Sequence, residues 1–141
     1  TRQNRARRAP SRPAGERAGA RGEPMIAVAL AGGLGAVCRA GLDGLVRRRH
    51  PEFPWGTFVV NVLGCFLLGA ATSAFSAVDP KALRAVTTGF FGGFTTFSTA
   101  MLDAVELARA GRRLASAALA LGTAGSGLLA FLGGTAFVSL F

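Results

Sequence analysis

The charged residues of this chain are separated from long apolar runs, and this separation limits the folds that it can adopt. Four segments are apolar enough to cross a bilayer: 25–46, 56–78, 85–102 and 114–141. The last three carry no charged residue, and the first carries only Arg39 and Asp43. A membrane-spanning helix needs about 20 predominantly apolar residues, whereas a helix at a water-exposed surface has one polar face. The sequence therefore predicts an all-α membrane protein with four transmembrane helices.

The chain before Met25 has a different composition. Residues 1–24 contain seven arginines among many Ala, Pro and Gly residues, without apolar periodicity. This is typical of disorder, so we predict a disordered basic tail at 1–24 and a membrane domain at 25–141. The net charge of +9 raises nucleic acid as a partner. Because the other basic residues mostly flank apolar helices, we instead predict contact with membrane lipid and no nucleic acid.

Helix ends and loops can also be read from the sequence. The first helix is predicted to end at Arg47-Arg48-Arg49, and Trp55 suits the membrane interface before the second helix. With four spans, the loops 47–54 and 109–113 lie on one side of the membrane. Which side of the membrane carries more basic residues depends on whether the tail is counted. The sequence therefore predicts no orientation.

The fourth apolar segment carries a stripe of small residues. Four of them recur every four residues: Gly122, Ser126, Ala130 and Gly134. Small residues on one helix face let two backbones approach closely in a membrane. The stripe therefore predicts a packing surface for another helix.

The third apolar segment combines glycines, hydroxyls and phenylalanines. Its core, 89–99, reads Gly-Phe-Phe-Gly-Gly-Phe-Thr-Thr-Phe-Ser-Thr. Glycine pairs weaken a helix, so we predict a third helix that is broken at Gly92-Gly93. A broken helix at membrane depth is tolerated only where it is buried in protein or lines a polar cavity. The segment therefore indicates an ion or solute path, and carbonyls freed at the break are good ligands for a small cation.

The side chains of this segment are candidates for lining the path. Phe90, Phe94 and Phe97 are spaced i, i+4 and i+7, so they are predicted to share one helical face. Such a stripe usually serves packing, but the positive edges of aromatic rings can also line an anion path. Hydroxyl donors lie beside these rings at Thr95, Thr96, Ser98 and Thr99.

Two polar side chains fall inside the other apolar segments. Asn61 either bonds a neighbouring helix or donates its amide N–H to a passing anion. Arg39 either snorkels to the surface, faces an aqueous vestibule or pairs with Asp43. The residues by themselves leave these alternatives open.

Three motifs in this order resemble the Fluc family of small bacterial fluoride channels, also called CrcB. The run at 89–99 is similar to the third-helix signature of that family. The matches to its second and first helices are Trp55-Gly56-Thr57 with Asn61-Val62-Leu63-Gly64, and Gly32-Gly33-Leu34-Gly35 with Arg39. The resemblance covers almost everything from Met25 onward. It implies an antiparallel, dual-topology dimer of four-helix subunits that exports fluoride passively across the inner (plasma) membrane.

The resemblance also implies roles for individual residues. The fluoride path would be lined by Asn61, Phe97, Ser98, Thr123 and Arg39. Within it, Asn61 would donate a hydrogen bond to fluoride, Phe97 would supply an aromatic ring, and Arg39 would stand near a vestibule. The backbones of Gly92 and Thr95 would ligate a structural sodium ion at the centre of the dimer.

Two positions depart from the pattern of the family. Its second lining phenylalanine aligns with Ala100, and a tyrosine common early in its fourth helix aligns with Leu119. One ring and one phenol are therefore missing from the expected path. Family members also occur as pairs of different subunits, so the partner is either a second copy of this chain or a paralogous subunit.

The main alternative is a proton-coupled exporter of the small multidrug type, which also has four helices per subunit. Proton coupling needs a carboxylate embedded in the membrane, yet the one acid of the first helix, Asp43, lies beside the Arg47 cluster. A purely structural protein would leave the hydroxyls and phenylalanines of the third helix unexplained. The sequence shows no nucleophile with a base, cofactor motif or catalytic metal cluster, so we predict that the chain is not an enzyme.

Overall fold

The computed structural model describes residues 14–75 and 80–140, with side chains from Met25 onward, and the regular elements in these stretches are all helical. In chain order they are α1 (Ala14–Arg49), α2 (Trp55–Ala74), α3 (Pro80–Arg84), a π-helical segment (Ala85–Phe91), α4 (Gly92–Phe94), α5 (Phe97–Arg109) and α6 (Arg113–Val138). The predicted all-α fold is confirmed for these residues. Helix α1 begins at Ala14, before the predicted start at Met25. Residues 1–13 of the predicted disordered tail lie outside the described residues.

Within the described residues, three helical segments are long and apolar enough to cross a membrane: Met25–Arg49, Trp55–Ala74 and Arg113–Val138. The remaining predicted span corresponds to residues 80–109, which we call the third span. Its first half contains α3, the π-helical segment and α4, and its second half is α5. Where the structure describes them, the four predicted segments are thus mainly helical, and the third is interrupted, as predicted.

The interruption of the third span is a two-residue break at Thr95 and Thr96. Both residues have extended backbone angles, with φ and ψ of −82° and 153° for Thr95 and of −148° and 106° for Thr96. Gly92, by contrast, is helical, with φ −62° and ψ −34°. The prediction that the helix breaks at Gly92-Gly93 is therefore wrong, because the helix continues through these glycines to Phe94.

The glycines of the third span allow it to pack against α1. A Cβ atom on Gly93 would overlap the carbonyl oxygen of Gly32, and one on Gly35 would lie 2.9 Å from the backbone nitrogen of Phe94. Both contacts are too short for any side chain, so glycine is needed for the two backbones to approach this closely. Gly93 therefore serves helix packing, and the break has another cause.

Helices α2 and α6 form the most extensive helix pair of the bundle. A Cβ atom on Gly134 would overlap the carbonyl oxygen of Phe66, and one on Gly69 would overlap the α6 backbone. Gly122 also faces α2, where its Cβ would lie 3.9 Å from the Phe58 ring. Two members of the small-residue stripe predicted in the fourth segment, Gly122 and Gly134, therefore face α2, and the role of the whole stripe as a packing surface stays a prediction.

The loops at one end of the bundle are joined directly. Arg112 donates from Nη1 to the carbonyl oxygen of Glu52 at 2.7 Å. This bond connects the loop after α5 with the loop after α1. The loops 47–54 and 109–113 therefore lie at the same end, as the four-span prediction requires.

Candidate functional site

One side chain from α2 holds the break in the third span. Asn61 Nδ2 donates to the carbonyl oxygen of Thr96 at 2.9 Å, and the Thr96 N–H donates to Asn61 Oδ1 at 2.7 Å. The Asn61 amide thus replaces helical partners that the Thr96 backbone has lost. An unpaired backbone group inside a membrane costs several kcal/mol. We conclude that this pair of bonds, which we call the Asn61 clamp, stabilises the break.

Hydroxyl groups satisfy other backbone groups near the break. Thr96 is the N-cap of α5, since its Oγ1 accepts from the Thr99 N–H at 3.2 Å. Thr95 donates from its Oγ1 to the carbonyl oxygen of Phe91 at 3.0 Å. Ser98 is exposed, and its Oγ lies 3.4 Å from Thr96 Oγ1. The hydroxyls predicted to line a path thus also stabilise the helix ends around the break.

A cavity of about 200 Å³ opens beside the break, and we call it the break cavity. Its lining residues come from α2, the break, α5 and α6: Asn61, Cys65, Thr95, Phe97, Thr123, Ala124, Gly127 and Leu128. The fold therefore brings together three of the five residues predicted for the path. These are Asn61, Phe97 and Thr123, and Thr95 from the predicted cation site joins them.

Thr123 presents an unused polar group at the break cavity. Its side chain is only 5% exposed, and its Oγ1 has no hydrogen-bond partner among the described residues. An unsatisfied buried hydroxyl costs about 1–3 kcal/mol, so such a group is usually paired with protein or water. The position is therefore suited to a small hydrogen-bonding ligand.

The phenylalanines of the third span fall into two groups. Phe90 and Phe94 stack with their ring centroids 5.8 Å apart, and Phe94 is buried. Phe97 lies beyond the break, where 66% of its surface is exposed and its ring borders the break cavity. The prediction that the three rings share one helical face is wrong, because the extended residues 95–96 interrupt the helical register.

Two residues predicted for the path do not line the break cavity: Ser98 and Arg39. Arg39 is partly buried on α1, and its Nε has no hydrogen-bond partner among the described residues. The alternative in which Arg39 pairs with Asp43 is wrong, because no ion pair joins them among the described residues; Asp43 lies 3.6 Å from Arg47, and Asp43 Oδ1 and Arg39 Nε have no hydrogen-bond partner there. A vestibule role for Arg39 stays a prediction.

Comparison with known proteins identifies the family. The family model described as CrcB-like protein, Camphor Resistance (CrcB), matches residues 26–135. The chain belongs to the CrcB family. The fluoride-specific ion channel FluC 1 of Leifsonia xyli is 49% identical over 122 residues, which cover 79% of this chain and 88% of the relative. The fluoride-specific ion channel FluC of Nitratidesulfovibrio vulgaris is 43% identical over 105 residues, which cover 71% and 84% respectively.

Both departures from the expected CrcB pattern lie in the packed interior. Ala100 and Leu119 have no exposed surface, and Leu119 packs against Ala104 and Leu107. Apolar packing therefore fills the positions at which the resemblance implies a ring and a phenol. Of the described residues that line the break cavity, Phe97 is the one with an aromatic side chain.

A second polar cluster, which the sequence did not predict, lies near the loop end of the bundle. Thr57 Oγ1 donates to Oδ2 of Asp103 at 2.6 Å, and both side chains are buried. Arg47 lies 3.7 Å from the same carboxylate oxygen. Thr57 precedes Asn61 by one turn of α2, so the cluster and the Asn61 clamp share a helix face. The sequence feature that could have indicated this cluster is an acid among the apolar residues of α5, next to Leu102 and Ala104.

The break releases a carbonyl group that a cation can use. In a continuous helix the Thr96 N–H would donate to the Gly92 carbonyl, but here it donates to Asn61. Gly92 is exposed, and a Cβ atom on it would meet no atom within 4 Å. Hard cations take oxygen ligands, and unwound backbone carbonyls coordinate sodium in membrane transporters. The Gly92 carbonyl therefore suits a sodium ion, and Thr95 lies in the extended break itself. That the two backbones bind sodium stays a prediction.

Proposed function

We propose that this chain is a subunit of a passive, fluoride-selective channel in the bacterial inner (plasma) membrane, through which fluoride leaves the cell down its electrochemical gradient. The observation that carries this proposal is the break cavity, where Asn61, Phe97 and Thr123 converge. Relatives with 43% and 49% identity that bear the name of fluoride-specific channels support it independently.

The groups at the break cavity suit a small, strongly hydrated anion, because they can replace water without trapping the ion. Asn61 Nδ2 uses one proton on Thr96, and a primary amide carries a second. Thr123 supplies a hydroxyl that has no partner in the described part of the chain, and Phe97 supplies a ring whose edge is positive. These three side chains are uncharged, so fluoride would be held by hydrogen bonds and released again.

The proposed channel is an antiparallel, dual-topology dimer that contains a structural sodium ion. Bound at the Gly92 and Thr95 backbones, sodium would supply a positive charge that offsets the freed carbonyls of the break. Two residues provide only part of a coordination shell, so the remaining ligands would come from the partner subunit. The exposed Phe97 ring and the open surroundings of Gly92 support a partner at this face.

The partner is either a second copy of this chain or a paralogous subunit. Because Ala100 and Leu119 are buried and apolar, this chain provides neither the second ring nor the phenol of the expected path. A different subunit could supply both groups in one of two pores. A homodimer would instead conduct through pores with an altered lining.

The proposed function is tested by fluoride efflux from liposomes that contain the purified chain, measured with a fluoride electrode. We expect passive efflux that needs no proton gradient, while chloride is retained. If the chain alone shows no fluoride efflux, the same assay with a co-expressed paralogous subunit tests the heterodimer. Liposomes that retain fluoride as well as empty ones do, with and without a partner subunit, would overturn the proposal.

Replacing Thr123 with valine is predicted to slow fluoride efflux without loss of the fold. Valine keeps the shape of threonine but removes the hydroxyl at the break cavity. A hydrogen bond to a charged group is worth about 1.5–3 kcal/mol, which corresponds to a flux roughly ten- to a hundredfold slower if the bond is used at the barrier. The measurement is the initial efflux rate at equal protein density.

The matched control for this variant is Thr135→Val on the same helix. Thr135 Oγ1 donates to the carbonyl oxygen of Leu132 at 2.8 Å, within its own helix and away from the break cavity. We expect Thr135→Val to conduct at the wild-type rate. Equal rates for Thr123→Val and wild type would remove Thr123 from the path.

The proton-coupled exporter is not favoured by the site. Asp43 is paired with Arg47, and Asp103 is held by Thr57 and Arg47. Among the residues that the structure describes, none that lines the break cavity carries a carboxylate. A proton-coupled path would need such a group where the substrate passes.

A further inference from the structure

A groove separate from the break cavity lies where α1 ends and α2 begins. It has a volume of about 530 Å³ and is lined by Leu45, Val46, Arg49, His50, Trp55 and Val59. This volume falls within the range of ordinary small-molecule sites. We call it the interfacial groove, because the apolar spans end at Arg49 and begin again at Trp55.

The interfacial groove has an apolar wall and a basic rim. Leu45 is 56% exposed, and it shares the wall with Val46 and Val59. Arg49 and His50 are exposed at the rim, where the chain leaves the apolar span. An apolar surface that ends in a guanidinium group at the membrane interface matches the order of groups in a phospholipid, from acyl chain to phosphate.

The Trp55 ring borders the interfacial groove and is held by its neighbours. It lies 4.9 Å from the Phe53 ring and packs edge-on against Phe58 at 5.8 Å. Its exposed fraction is 43%, so part of the indole faces the groove. Indole rings prefer the head-group level of a bilayer, which places the rim at the depth of the lipid phosphates.

We propose that the interfacial groove binds one anionic phospholipid, with an acyl chain against Leu45, Val46 and Val59 and the phosphate beside Arg49 and His50. Charge complementarity at the rim selects an anionic lipid over a zwitterionic one. One arginine near a membrane surface changes lipid association by about fivefold. This site does not depend on the proposed fluoride function, because none of its residues lines the break cavity.

The chain contains a single tryptophan, so the fluorescence of Trp55 reports directly on the lipid in the groove. We would reconstitute the full chain in phosphatidylcholine vesicles that contain an equal fraction of brominated phosphatidylglycerol or of brominated phosphatidylcholine. Bromine quenches indole fluorescence on contact. The quenching gives the association constant of each lipid at Trp55. We expect this constant to be about fivefold higher for brominated phosphatidylglycerol than for brominated phosphatidylcholine.

The variant Arg49→Gln tests the rim, and Arg48→Gln is its matched control. Both variants remove one charge from the same basic triplet, but only Arg49 lines the interfacial groove. We expect Arg49→Gln to lose the preference for phosphatidylglycerol and Arg48→Gln to keep it. Soluble glycerol phosphate should leave the quenching unchanged, because the acyl chain contributes to binding.

Three outcomes would overturn the proposal. Equal quenching by the two brominated lipids would mean that the groove has no preference for an anionic head group. Equal loss of preference in Arg49→Gln and Arg48→Gln would mean that general surface charge is responsible. Quenching by neither lipid would mean that another occupant, such as a second copy of this chain, covers Trp55.

Discussion

Replacing Asn61 with leucine is expected to abolish fluoride efflux and to destabilise the bundle at the same time. Leucine fills a similar volume but can neither donate to the Thr96 carbonyl nor accept from the Thr96 N–H. Both backbone groups would then lack a partner in the apolar interior, which we expect to lower the free energy of unfolding on the order of 3 kcal/mol. Efflux from liposomes and unfolding in bicelles measure the two effects.

The variant Asn61→Asp separates the two roles of the side chain. Its carboxylate still accepts from the Thr96 N–H, but it has no N–H to donate and it carries a negative charge beside the break cavity. We expect efflux to stop while more of the stability remains than in Asn61→Leu. Thr72→Val serves as the stability control on α2, because Thr72 Oγ1 donates to the Gly69 carbonyl of its own helix. An Asn61→Leu variant with wild-type stability would contradict the clamp, and one with wild-type efflux would contradict the site.

The sequence analysis gave Asn61 two alternatives, an interhelical bond or a donor to a passing anion. The clamp adds a structural role that the local sequence does not contain. Asn61 and Thr96 are 35 positions apart, and their pairing depends on how α2 packs against the third span. From the residues alone, Asn61 could serve as an interhelical bond or as an anion donor, with the interhelical bond slightly favoured. The structure shows the first and leaves one amide proton for the second.

The position of the break illustrates the same limit. Apolar length and missing charge are local properties, so the four helical segments were predictable from the sequence. A glycine pair is also local, but the same pair can loosen a helix or let it approach a neighbour. Gly93 packs against the Gly32 backbone, and the helix breaks later, where Asn61 offers its amide to Thr96. Choosing between these uses requires knowing the neighbouring helix.

The candidate site was predictable in part for a similar reason. Asn61, Phe97 and Thr123 came from motif resemblance, and the fold brings them to one cavity. The bond between Thr57 and Asp103 spans 46 positions and has no local signature beyond an acid in an apolar helix. Polar clusters of this kind become visible only when the helices are assembled.

Replacing Gly134 with alanine is expected to disrupt the contact between α2 and α6. The added Cβ would overlap the Phe66 carbonyl oxygen and would lie 2.9 Å from the Ala70 nitrogen. Backbone atoms cannot move aside as a side chain can, so the two helices must separate. Overpacking of this kind costs about 1–3 kcal/mol, and we expect a value near the upper end. Unfolding in bicelles measures the change in free energy.

The neighbouring variant Gly133→Ala is the matched control for Gly134→Ala. It makes the same substitution at the same depth of α6, yet its Cβ would come no closer than 4.0 Å to the Phe66 ring. We expect this variant to be neutral or slightly stabilising, because alanine loses less conformational freedom than glycine when a helix forms. The contrast tests the packing of the bundle without reference to any transported ion. If both variants unfold with the same free energy, the α2 and α6 backbones are not in close contact at Gly134. Thr123 lines the break cavity from the same helix, so its position relative to α2 would then have to be revised as well.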